Sequence, residues 1–336
     1  MGKVTIEEVA ARAGVSGATV SKAVRGLPVS DETRERVFAA AFELGWAPNP
    51  HAASLASGRT ATIGLAMAFY GIWYDVELLN ALDRATRRSG FDLLVWPTES
   101  LESDHRSEPA IRSFARRVDG LIVADFCIPS GDTDSLGNLH VPAISVGGRI
   151  PGLASVEIDN RAAARMAVTR LVELGHRRIA LITEAPPPVG QAPVAAERRE
   201  GYREALVAGD IDPDLDLELV SSGGPAGGAA VLDRLMALRP SATAAFCNND
   251  EIAVGLAVAA QKTGVRLPED LSMIGFDDTA MAEVMDISSV RQPIRVIAER
   301  AVDHLVSAIR ADRDFELHEI LGVELIERGS IAQLHP

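Results

Sequence analysis

Polar side chains of complementary kinds stand directly behind several apolar runs in this 336-residue chain. Asn248-Asn249-Asp250 follow the run 244–246, Asp277-Asp278 follow Gly275-Phe276, and Arg198 precedes Arg199-Glu200-Gly201-Tyr202. Carboxylates, amides and a guanidinium fork converging on one cleft suit a polyhydroxylated ligand, because hydroxyl groups must both donate and accept, and the fork can grip two oxygens at once. Asp277 is the stronger ligand contact, with Asp278, Asp159 and Arg149 (after Gly147-Gly148) behind it. Asp250 has a second reading as the cap of a helix over 251–262. Behind the run 63–67 come Phe69-Tyr70-Gly71-Ile72-Trp73-Tyr74-Asp75. Phe69, Tyr70, Trp73 and Tyr74 are a dense group in a chain with only 4% aromatics. They either stack on a ligand ring or form an apolar lid or a dimer contact. Tyr202 lies beside Arg198, another candidate for the same cleft.

Spacings that would signal catalysis are missing. No glycine-rich loop ends in Gly-Lys-Ser/Thr, no nucleophile elbow occurs, and the seven histidines include no pair at metal spacing. Gly223-Gly224-Pro225-Ala226-Gly227-Gly228 lacks the phosphate-loop lysine and reads as a loop opening a helix. His176, after Gly175, reads as a helix C-terminal cap. No enzyme, metal or cofactor is expected.

A different pattern occupies the first 46 residues. Thr5-Ile6-Glu7-Glu8 has the reciprocal spacing of a capping box. Ile6, Val9, Ala10 and Ala13 behind it recur at helical spacing. Gly14 permits a tight turn, Ser16 caps a second helix through Val20, Ala23 and Val24, and Arg25-Gly26 ends it. A third helix follows Ser30, running from 31 to 44 before Gly45. This is a helix-turn-helix, although a generic three-helix bundle could use the same caps. Asn49-Pro50 then opens a short Ala-rich helix that Gly58 closes. At about two and a half turns it is marginal in water and needs docking to fold, unless it is an inert linker.

These groups are positioned by alternating elements. Strands are expected over 63–67, 93–96, 121–123, 144–146, 179–183, 244–246 and 272–276, with helices over 76–88, 162–174, 199–207, 251–262 and 294–310. Such alternation gives parallel sheets covered by helices, and the length calls for two lobes. Residues 1–60 hold seven Lys/Arg against six Asp/Glu, so the net charge of −14 falls on the remainder. An acidic body is repelled by nucleic acid, and any such contact must be confined to the head. Two cysteines, Cys127 and Cys247, give no disulfide framework. With no apolar run long enough to span a membrane and no export signal, a cytoplasmic protein is expected.

The run Val15-Ser16-Gly17-Ala18-Thr19-Val20-Ser21 resembles the head of the lactose/galactose repressor (LacI/GalR) family. The likeness continues through Ser30-Asp31-Glu32-Thr33-Arg34 and Gly45-Trp46-Ala47-Pro48-Asn49 to Ile326-Glu327-Arg328. It implies an all-α helix-turn-helix head (1–46), a hinge helix (47–60) and an α/β two-lobed, periplasmic-binding-protein-like body (61–336). Lobe 1 would take about 61–160 and 291–321, and lobe 2 about 161–290 and 322–336. It further implies a repressor whose affinity for pseudo-palindromic operator DNA is set by a small molecule, most naturally a sugar or sugar derivative. An activator or dual regulator uses the same machine. A solute-binding receptor shares the body but has no use for the head.

By the same resemblance, the second helix enters the major groove. Gly17, Ala18 and Lys22 then fall at base-reading positions, with Thr5, Ser16, Thr19, Ser21 and Arg25 toward the backbone. Lys22 would donate to guanine or to a phosphate. Gly17 departs from the larger residues common there, which reduces the direct contacts. In the hinge, Asn49, Ala52 and Leu55 would reach the minor groove, Leu55 as a wedge beside its two-fold mate. Ala53 replaces a side chain that is polar or basic in many relatives. The hinge requires a homodimer, and no leucine-heptad tail for tetramerisation follows. In the body, the resemblance assigns effector contact to Arg198.

Overall fold

The computed structural model describes residues 4–24, 28–47, 59–68, 72–98, 107–124, 139–184, 193–311 and 317–334. The chain divides into two compact units, Met1–Thr60 and Ala61–Pro336.

Three helices make the described part of the first unit: α1 (Ile6–Ala13), α2 (Gly17–Val24) and α3 (Asp31–Leu44). Thr5 caps α1 reciprocally. Its Oγ1 accepts from the Glu8 amide at 3.3 Å, and its amide donates to Glu8 Oε2 at 2.7 Å. Gly14 takes left-handed backbone at φ 67°, where a Cβ would crowd the chain. Ser16 Oγ accepts from the Thr19 amide at 3.2 Å and opens α2. The core is small and made of small residues: Val9, Ala10 and Ala13 of α1, Val20 and Ala23 of α2, and Val37, Ala40 and Ala41 of α3. Alanines at these positions let three short helices approach closely.

The second unit contains two six-stranded sheets. The first has the order β11-β5-β4-β3-β1-β2 and consists of β1 (Thr62–Ala68), β2 (Asp92–Thr98), β3 (Gly120–Ala124), β4 (Ala143–Val146), β5 (Ala154–Ile158) and β11 (His318–Leu321). It is parallel throughout. The second has the order β12-β10-β9-β8-β6-β7, from β6 (Ile179–Glu184), β7 (Glu218–Ser221), β8 (Ala244–Cys247), β9 (Ser272–Asp277), β10 (Ser288–Arg291) and β12 (Glu324–Ile326). Only β12 is antiparallel. Strands such as β3, β5 and β9 are buried along their whole length, as parallel sheets covered on both faces require.

Helices α4 (Trp73–Arg88), α5 (Ser107–Ala115) and α11 (Ile294–Ala311) pack with the first sheet. With the second belong α6 (Asn160–Glu173), α7 (Pro193–Ala208), α8 (Gly224–Ala237), α9 (Asp250–Thr263) and α10 (Ala280–Val284). The chain passes between sheets three times, after β5, after β10 and after β11. Helices α8 and α9 meet through glycine: a Cβ on Gly228 would land on the Ile252 carbonyl, and one on Gly255 on the Pro225 carbonyl. The run 223–228 is therefore a helix start built for close packing. Among the described residues, no helix is long and apolar enough to cross a membrane.

Candidate functional site

On the head, the face that α2 presents carries Ala18 and Lys22 exposed and Gly17, Thr19 and Ser21 half-buried, while Val20 and Ala23 turn into the core. Ser16 is also exposed, and its hydroxyl meets Thr19 Oγ1 at 2.9 Å. The Thr5 hydroxyl is engaged with Glu8. Arg25, Asn49, Ala52 and Leu55 lie outside the described residues.

In the body, the carboxyl ends of β6, β8, β9 and β10 bring a second set together. Arg198, on α7, is 6% exposed. Its Nε donates to Asn160 Oδ1 at 3.0 Å and its Nη1 to the Asn248 carbonyl at 2.5 Å, and its guanidinium lies 3.5 Å over the Phe276 ring. A planar cation held on both edges and one face is fixed in aim. Asp277 ends β9 at φ 108° and Asp278 follows at φ 55°. Two successive non-glycine residues in this region mark stored backbone strain of the kind found at ligand sites. Gln292, just beyond β10, donates from Nε2 to Asp277 Oδ1 at 2.6 Å. Burial pushes the Asp277 carboxyl up to about 8, against the opposing pull of Arg198.

That displacement has a measurable consequence. Folded Asp277 keeps its proton up to about pH 8, whereas an unfolded aspartate loses it near ~3.9. The native state thus binds more protons across this window, and its stability falls as pH rises through it. Asp277→Asn does not titrate and retains an acceptor for Gln292. It is expected to gain stability relative to wild type between about pH 5 and about pH 8.5, read by urea unfolding at both values. A stability difference that does not move with pH would mean that folded Asp277 is an ordinary ionised carboxylate.

Several residues read from sequence as site members have structural duties instead. Asn249, not Asp250, caps α9, with Oδ1 accepting from the Ile252 amide at 3.0 Å, while its Nδ2 donates to Glu184 Oε1 at 2.7 Å. Asp250 is fully buried and accepts from the Thr279 amide and the Ser289 hydroxyl, both at 2.7 Å. It ties the β9 and β10 ends together, in space that Gly275 leaves free. Asp278 is neutralised by Arg291 and Arg328, each at 2.6 Å. Asp159 caps α6 through the Ala162 amide at 2.8 Å. His176 closes the C-terminus of α6 with its backbone, its amide donating to the Leu171 carbonyl at 3.1 Å after left-handed Gly175, while its buried ring bridges Thr243 Oγ1 and the Ala332 carbonyl.

The aromatic group separates. Tyr74 belongs to the core of the first lobe and Trp73 packs half-buried against it; Phe69 and Tyr70 lie outside the described residues. Tyr202 is fully buried with its hydroxyl on the Ile179 carbonyl, at the opposite end of β6 from the site. Arg149 is exposed, and its charge opposes the burial that pushes Glu157 up to about 7.

Three participants escaped the sequence reading: Gln292, Glu184 and Glu251. Glu184 is the last residue of β6, a position the strand-end rule covers. Glu251, in the first turn of α9, accepts from the Trp73 amide at 3.0 Å. That bond joins the second lobe to the N-terminus of α4 in the first, and the carboxylate suits the positive end of the helix dipole. Among the described residues, no cluster of His, Cys, Asp and Glu could hold a metal ion.

The comparisons agree with this two-part geometry. The model of bacterial regulatory proteins, lacI family, matches residues 5–49, and that of the periplasmic binding protein-like domain matches residues 168–331. The transcriptional regulator AscG of Escherichia coli (strain K12) is 31% identical over 97% of this chain and 98% of its own length. Solved structures that match across 98% of the chain include the following two. One is a lac repressor dimer bound to operator and the anti-inducer ONPF (27% identity, 99% of that chain, TM-score 0.82). The other is a CelR–cellobiose complex (29% identity, 100% of that chain, TM-score 0.69). Relatedness along essentially the full length, with head and body in the same order, decides the assignment: this chain belongs to the lacI family of bacterial regulatory proteins, and is a DNA-binding transcriptional regulator with a periplasmic-binding-protein-like effector body, not an enzyme.

Proposed function

We propose that the chain is a cytoplasmic, homodimeric repressor whose hold on a pseudo-palindromic operator is set by a sugar or sugar derivative in the cleft of the body. The observation that carries the reading is the fixed guanidinium of Arg198 beside the strained Asp277 and its Gln292 partner, at the carboxyl ends of parallel strands where such folds take ligands. Support comes from relatives crystallised with cellobiose, and as a dimer with operator and an anti-inducer. Ligand contact is assigned to Arg198 and Asp277, with Arg149, Trp73, Phe69 and Tyr70 as further contacts. The double engagement of Asn249 makes it a support for Glu184. Base or phosphate contact is assigned to Ser16, Gly17, Ala18, Thr19, Ser21, Lys22 and Arg25, and hinge contact to Asn49, Ala52 and Leu55.

Control works only if the ligand binds two arrangements of the lobes unequally. The Glu251–Trp73 bond is one contact that can differ between them, because its two partners sit on different lobes. The test is fluorescence anisotropy on the operator, with and without added sugars. A sugar that shifts wild-type affinity should shift Lys22→Ala by the same factor, because head and cleft are separate. Lys22→Ala itself should lose about 1–3 kcal/mol and relax one base position. Uniform weakening on every sequence would make Lys22 a phosphate contact, and no response to any carbohydrate would remove the effector class.

A further inference from the structure

A carboxylate, Glu184, stands near Asp277 at the carboxyl end of the second sheet. It ends β6, and its two oxygens accept from the side-chain amides of Asn249 (2.7 Å) and Asn248 (3.1 Å). Among the described residues it forms no ion pair, so its charge is held by neutral amides and not cancelled. A carboxylate offers about four acceptor positions, and the described residues fill two of them. Beside it, Asn248 is 5% exposed, and its Oδ1 is buried with no hydrogen-bond partner. Among the described residues, acceptor positions of Glu184 and Asn248 therefore sit together without donors, and a ligand that covers them must bring donors.

Glu184 raises the Asp277 carboxyl, as does buried Asp250, so the three groups lie within each other's field. Arg198, the cation of this group, is committed to Asn160, the Asn248 carbonyl and the Phe276 face. With Arg198 fixed on these partners and Glu184 in no ion pair among the described residues, an anionic ligand group placed against Glu184 meets its carboxylate at close range, where like charges reject a ligand.

We propose that Glu184 fixes the charge class of the effector: the cleft takes a neutral or amino-substituted sugar, whose hydroxyl or ammonium group donates to Glu184, and rejects phosphorylated and carboxylated sugars. This rests on the assignment of the cleft as the effector site. Selection is by repulsion as much as by attraction, and Glu184 is a specificity residue for a contact that Arg198 and Asp277 orient.

Matched sugar series test it on the full-length protein. The parent sugars are glucose, galactose, mannose and cellobiose, with the 2-amino, 6-phosphate and uronic acid forms of the monosaccharides. Thermal shift finds the binders and isothermal titration measures them. Any series that binds wild type should do so through its neutral or amino form, with the phosphate and uronate weaker by about tenfold or more. Glu184→Gln keeps the shape and the Asn249 contact, and its new amide can donate to Asn248 Oδ1 once the Asn248 side-chain amide, whose Nδ2 faces Glu184 in the wild type, turns over. It should bring the anionic forms to within about threefold of the neutral ones. Glu184→Ala, with melting temperature as the check on folding, should move the ratio in the same direction. A merely structural role for Glu184 would weaken neutral and anionic forms together. The proposal is overturned if the phosphate or uronate binds wild type more tightly than its parent, or if neither variant changes the ratio. Binding that survives Arg198→Ala would place the ligand elsewhere and overturn the underlying cleft assignment, and no binding across the panel would overturn both.

Discussion

Arg198→Ala is expected to abolish the effector response while leaving unliganded operator affinity within about threefold of wild type. The guanidinium is almost entirely enclosed, and its removal strips partners from Asn160 Oδ1 and the Asn248 carbonyl and uncovers Phe276. A ligand group docked against Arg198 would then be buried unpaired, at a cost of about 2–5 kcal/mol, roughly a thirtyfold to several-thousandfold loss of affinity. Asp277 also loses the positive charge that opposes its burial, so its carboxyl moves further upward from the usual range. Arg198→Lys separates charge from shape. It keeps the cation but not the planar fork or its stacking, and should fall between wild type and alanine. Part of the alanine effect is stability, so melting temperatures are needed beside the titrations. Operator and ligand must alter each other's affinity by one shared factor, and in Arg198→Ala that coupling factor should approach unity. Ligand affinity within about threefold of wild type would move the site away from Arg198.

Why the head could be read from sequence and the cleft only in outline follows from their chemistry. The caps of α1 and α3 are local, so Thr5, Glu8, Gly14, Ser30 and Gly45 announce themselves within a few residues. Strands with a continuous apolar run, such as 273–276 in β9, were equally plain. β10 was not, because Ser288 and Ser289 are polar yet buried, satisfied by the Arg328 carbonyl and by Asp250 from distant parts of the chain. β5 hides buried Glu157 and β11 opens on an exposed histidine, and neither has the apolar run that marks a covered strand. The site has the same limit. Strand-end position named Arg198 and Asp277, but it could not say that Asn249 serves Glu184, that Asp278 answers two arginines, or that Tyr74 turns inward. Asn249 and Glu184 are 65 residues apart, and Asp278 is 13 residues from Arg291 and 50 from Arg328, and no local periodicity carries such pairings.

Cutting the chain after Thr60 is expected to separate operator binding from ligand binding completely. The cut falls at the boundary between the two compact units, and each side keeps its own hydrophobic core. Residues 61–336 retain both sheets, Arg198, Asp277, Gln292 and the Glu251–Trp73 bond, so the fragment should melt cooperatively and bind the same sugar with wild-type affinity. Specific operator binding should fall by at least about 10³, the usual ratio between specific and non-specific sites. Residual non-specific binding should be negligible too, because residues 1–60 hold seven Lys/Arg against six Asp/Glu, so this fragment is more negative than the −14 of the whole chain and the phosphate backbone repels it. Lowering the salt concentration, which strengthens the contacts of a basic surface, should not rescue it. The complementary fragment, residues 1–60, carries the exposed face of α2 but has no large body to hold two copies together. It should bind operator weakly and with strong salt dependence, and a sugar should leave that binding unchanged. A footprint by residues 61–336 on the operator, or a sugar response in residues 1–60, would contradict this division of labour.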